Sequence, residues 1–124
     1  MSVRLVKSFL GYLYLECNVD VAIKLLEYVK DKLKRDTEDV NDALRIIKNF
    51  DVFYEMARKK FKDYIAPKKR ESDLIRGLVF IDKIRLEKSD DVRKVVLVFD
   101  KRVDSETLRR ILSELGVKFE EVIQ

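Results

Sequence analysis

Apolar residues recur at helical spacing over the first 65 positions, then alternate or run together as strands do after residue 74. Leu5, Phe9, Leu13 and Cys17 fall every four residues and predict a first helix. Asn18 or Asp20 caps a second, with Ala22, Leu25, Leu26, Val29 and Leu33 inward. Asp36 or Thr37 caps a third, whose face is Val40, Ala43, Leu44 and Ile47. Asp51 caps a fourth, which carries Phe53, Met56, Ala57, Phe61, Tyr64 and Ile65. The break near Asn49–Asp51 also allows one bent helix in place of the third and fourth. Pro67 stops the run, because it pushes Ala66 out of the α region.

The C-terminal pattern is different. Leu78, Phe80, Ile84 and Leu86 share one face of a strand, with Val79 and Ile81 on the other. KSDDVR is a turn. Val95, Leu97 and Phe99 then alternate with Val96 and Val98, so this strand is apolar on both sides and reads as a central strand covered on both faces. Asp104 or Ser105 caps a helix with Leu108, Ile111, Leu112 and Leu115 inward, and Gly116 ends it. VKFEEVI closes the chain as a strand.

The expected fold is α+β: three or four N-terminal helices packed on a small three-stranded mixed sheet of ββαβ order. The first two strands form a hairpin, and the second and last run parallel through a right-handed crossover. A single crossover helix covers one face, so the N-terminal helices are expected to cover the other. Residues 1–66 form a helical part, 67–73 a basic linker around Pro67, and 74–124 the ββαβ part. The three are read as one interdependent domain.

Composition narrows the chemistry. Charged residues make up 40% of the chain, while His and Trp are absent. High Lys, Glu and Arg with few amides is the balance of heat-adapted proteins. Without His there is no Ser-His or Cys-His nucleophile pair. Three glycines do not make a phosphate loop, and one cysteine makes neither a disulfide nor a zinc site. Cys17 lies among apolar residues and reads as a buried thiol. Arg4, Lys7 and FLGYLYLEC resemble a short signal segment, but Glu16 stands where cleavage wants a small residue. A cytoplasmic protein without a membrane span or cofactor is expected.

Charge then singles out one stretch. Between residues 58 and 70 seven cations (Arg58, Lys59, Lys60, Lys62, Lys68, Lys69 and Arg70) meet one acid, Asp63. Elsewhere the two signs nearly cancel. Lysines and arginines that neutralise phosphates release counterions and so bind nucleic acid without reading its sequence. Phe61 and Tyr64 lie inside the run and can stack on bases. The competing expectation puts both rings in the core and the cations at a helix end, where the dipole favours them. The reading is therefore a non-enzymatic binding protein, nucleic-acid-associated through Arg58, Lys59, Lys62, Lys68, Lys69 and Arg70. The alternative is a protein-interaction module, a small subunit of an assembly or a homo-oligomer, with no nucleic-acid role. A third reading places a metal-dependent enzyme at Asp100, Asp104 and Glu106, carboxylates at a strand end that can hold Mg²⁺. Those acids read equally well as an ion-pair partner, an N-cap and a dipole partner.

Overall fold

A computed structural model describes residues 2–124. The chain begins with strands rather than a helix. β1 (Val3–Lys7) and β2 (Leu13–Asn18) pair antiparallel, with Leu5 opposite Leu15 and Val6 opposite Tyr14. The expected first helix is thus a hairpin, and the reason is arithmetical. A spacing of four is even, so it keeps side chains on one face of a strand as well as on one face of a helix. Local chemistry breaks the tie. Val3, Val6, Tyr12 and Tyr14 favour extended backbone. Gly11 turns the chain at φ +88°, and Ser8 N donates to Tyr12 O at 2.8 Å.

The helices that follow keep closer to their pattern. Asn18 caps α1 (Val19–Asp31), its Oδ1 accepting from Val21 N at 2.8 Å. Ala22, Leu25, Leu26 and Val29 are buried, whereas Leu33 lies past the helix end and is exposed. α2 (Glu38–Lys48) buries Val40, Ala43, Leu44 and Ile47. α3 (Phe50–Lys59) starts after Asn49 and stops well before Ile65, where the fourth helix was expected to reach. A single turn, α4 (Glu71–Ile75), precedes the strands β3 (Ile81–Ser89) and β4 (Val92–Phe99). α5 (Ser105–Glu114), capped by Asp104, leads to β5 (Phe119–Ile123).

All five strands join one mixed sheet in the order β3-β4-β2-β1-β5. This overturns the three-stranded ββαβ sheet. β4 and β5 run in the same direction, but they do not pair. β4 lies antiparallel to β2, and β5 lies parallel to β1, so the N-terminal hairpin fills the space between them.

The covering of the sheet also differs from expectation. Leu5, Leu15, Cys17, Ile84, Leu86, Val95, Leu97 and Phe99 belong to one core with residues of α1, α2 and α5. The crossover helix and the N-terminal helices therefore pack on the same face. Val6, Val96 and Val98 point to the other face and lie outside that core, yet they too are buried. In register, Val96 lies between Glu16 and Arg85, and Val98 between Tyr14 and Lys83. Long cross-strand neighbours shield these valines where a helix layer was expected.

A bulge at Asp82 resets the alternation of β3, so that Ile81 shares the core face with Ile84 and Leu86, while Phe80, just before the strand, also lies in the core. Asp39, fully buried in the first turn of α2, fixes this point. Its Oδ2 accepts from Phe80 N at 2.8 Å and from Ile81 N at 2.9 Å. Among the described residues no helix is long and apolar enough to cross a membrane.

Candidate nucleic-acid interface

α3 ends in a left-handed turn. Lys62 N donates to Ala57 O at 2.9 Å and Phe61 N to Arg58 O at 3.2 Å, which is the hydrogen-bond pair of a Schellman motif. The residue at its left-handed position is Phe61, at φ +54°. α4 and α5 end in the same motif and place Gly77 and Gly116 there, each at φ +70°. A bulky side chain in this conformation is a backbone outlier. Phe61 gains no packing in return, because it is 96% exposed. The expectation of a core Phe61 at helical spacing with Phe53 is corrected: the chain leaves the helix at Lys60 and carries the ring away from the core.

The rest of the run is strapped to the outer edge of β3. Ile65 and Ile84 exchange both backbone hydrogen bonds, at 2.7 and 2.8 Å. Pro67 is buried, and Lys68 N donates to Asp42 Oδ2 at 2.8 Å. Asp42 in turn accepts from Arg45 Nη2 at 2.7 Å. The segment expected as a linker is therefore an ordered strap.

The cations divide along this geometry. Lys69 is turned inward, its Nζ donating to Asp82 O at 2.7 Å and Pro67 O at 3.3 Å. Arg70 stands 3.9 Å from Glu38, and Arg58 stands 3.8 Å from Glu55, both as exposed pairs that contribute little to folding. Among the described residues Lys59, Lys60, Lys62 and Lys68 have no carboxylate within ion-pair distance. Lys60 and Lys62 border a pocket of about 210 Å³ with Phe53, Met56, Ala57, Tyr64 and Ile65. Tyr64 is half-exposed, and Lys83 Nζ lies 4.6 Å from its ring centroid. Lys60 and Lys83 were not among the residues singled out for binding by sequence. Lys60 sits inside the run and was legible there, while Lys83 joins the site through tertiary structure alone.

No family model, curated protein or solved structure matches this chain.

The acidic trio is differently employed. Asp104 Oδ1 accepts from Thr107 N at 2.8 Å as the cap of α5, and its hydrogen bonds with Thr107 hold the carboxyl below its usual range. Asp100 Oδ1 accepts from Arg102 N at 2.9 Å, and Glu106 is exposed in the first turn of α5. Among the described residues no three potential metal ligands come together. Burial pushes the Cys17 thiol up to about 12, far from the reactive range.

Proposed function

We propose that the protein binds nucleic acid without catalysing a reaction on it, through the turn Lys59–Lys62 and the strap that follows. The observation that carries this reading is Phe61. A large apolar ring is held in solvent, in a backbone conformation that glycine adopts more easily, beside three lysines that have no ion-pair partner among the described residues. The helix end requires a left-handed residue here, as the end of α1 does at Lys34 (φ +57°), but it does not require an exposed aromatic ring, and strain of this kind concentrates where a surface has work to do. Lysines attract the phosphates and the ring contacts a base, a combination that gives affinity with little sequence preference. The test replaces Lys59, Lys60 and Lys62 with Ala and follows binding of a labelled oligonucleotide at low salt. The reading expects a marked loss of affinity with unchanged thermal unfolding. Wild-type protein that binds no oligonucleotide at low salt overturns it.

One observation favours a protein partner instead. The hairpin turn exposes Phe9 by 86% and Leu10 by 77%, and Ile123, opposite Lys7 in register, by 84%. These residues gather at one end of β1 and β5, where β5 is a sheet edge. An edge with apolar neighbours suits strand addition or self-association. Mass that rises with concentration in light scattering, and that reverts in Phe9→Ser/Leu10→Ser, supports this second use of the surface.

A further inference from the structure

The outer face of the sheet carries a slot that the basic run leads into. Tyr14 from β2 and Tyr64 from the strap line a cavity of about 180 Å³, with Glu16, Arg85, Glu87 and Val96 as its other walls. Tyr64 also lines the pocket beside Lys60 and Lys62, so it stands between the two. The cavity falls short of the roughly 300–1,000 Å³ of a complete small-molecule site. It has room for one planar group of a longer ligand.

Charge tells which group. Glu16 lies deep on the outer face and is held by Arg4 Nη1 and Lys94 Nζ, each at 3.2 Å from its Oε1. Glu87 borders the same cavity, 3.7 Å from Arg85 and 3.9 Å from Lys94. Three cations offset these two carboxylates, so the wall is close to neutral, and the carboxylate oxygens can still accept from an N–H donor. Arg4, Lys83, Arg85 and Lys94 are distributed over the same face, and Lys60 and Lys62 lie beyond Tyr64. The surface thus offers anion contacts at the rim, through Lys83 and Arg85, around a slot with paired carboxylates in its floor and an aromatic wall. A polymer with charged linkages and uncharged aromatic bases complements that arrangement.

We infer that the slot between Tyr14 and Tyr64 takes an unstacked base of a single strand whose phosphates lie on Lys60, Lys62, Lys83 and Arg85. The inference rests on the nucleic-acid reading above and makes it more specific: the ligand is single-stranded, and its path leaves the basic turn and crosses the outer face of β3 and β4. A duplex keeps its bases stacked and cannot fill the slot.

The test measures binding of a labelled oligothymidylate, alone and annealed to its complement. The single strand is expected to bind about five- to a hundredfold more tightly, the range that stacking one base on an aromatic side chain is worth. Tyr14→Leu removes the preference, and Tyr14→Phe keeps it. Should Tyr14→Leu fail to fold, Tyr64→Leu tests the opposite wall. The chain has no Trp, so its intrinsic fluorescence is that of tyrosine, which base stacking quenches in the wild type. Equal affinity for strand and duplex, or a Tyr14→Leu variant that still prefers the strand, overturns the slot while leaving the basic-run reading intact. Absence of binding to either form overturns both.

Discussion

Phe61 and Cys17 show how a residue's surroundings decide its meaning. At φ +54° Phe61 occupies a conformation that costs an L-residue about 1–2 kcal/mol relative to the right-handed helix, a cost glycine largely escapes. Phe61→Gly is therefore expected to raise stability by about 1 kcal/mol and to weaken oligonucleotide binding in the same protein. Chemical denaturation beside a binding titration reads both, and a destabilised variant would show that the ring packs on something. Cys17 is the opposite case, a thiol without solvent. Its folded pKa is raised from the ordinary 9.0 to about 12, so both states keep the proton below about pH 9 and the thiol does not make stability pH-dependent there. Between pH 9 and 12 the unfolded chain gives up that proton while the native chain retains it, and stability falls as pH rises. A disulfide reagent at neutral pH should leave native Cys17 unmodified and react at once in denaturant; fast native reaction contradicts this burial.

At the next level, the sequence pattern was informative where one period excluded the other. α1, α2 and α5 carry apolar residues at three- and four-residue steps, which no strand reproduces, and their inward faces are the buried ones. The hairpin was hidden because Leu5, Leu13 and Cys17 are separated by multiples of four. The end of α3 was hidden because Phe61 and Tyr64 continue its spacing after the helix has stopped. The pairing of β1 with β5 and β2 with β4 depends on contacts across most of the chain, which local pattern does not record. The slot was out of reach for the same reason: Tyr14, Tyr64 and Arg85 come from three distant segments. The basic run was legible as charge, but its division into free lysines and an inward Lys69 needed the strap's hydrogen bonds. The interleaved sheet yields its own prediction. A fragment of residues 72–124 lacks β1 and β2, the partners of β5 and β4, and should show no cooperative thermal transition by circular dichroism. A sharp transition would mean that the C-terminal part folds by itself.

Over its full surface the protein is close to neutral except at one place. The formal net charge of +4 arises from the run at residues 58–70, and the turn that presents it is anchored by α3 on one side and by Asp42 and Ile84 on the other. A fixed mount lowers the ordering cost of binding. The exposed Phe9, Leu10 and Ile123 lie at the turn end of the hairpin, beside the end of β5.

The salt dependence of single-strand binding tests the nucleic-acid role most directly. Each phosphate neutralised on a single strand steepens the log–log slope by about 0.7. Replacing Lys59, Lys60 and Lys62 with Ala should therefore flatten the wild-type slope by roughly two units. It should leave the unfolding midpoint nearly unchanged, because exposed cations contribute little to folding. Binding that is insensitive to salt, or a triple variant with the wild-type slope, would contradict the assignment of this turn as the phosphate-contacting surface.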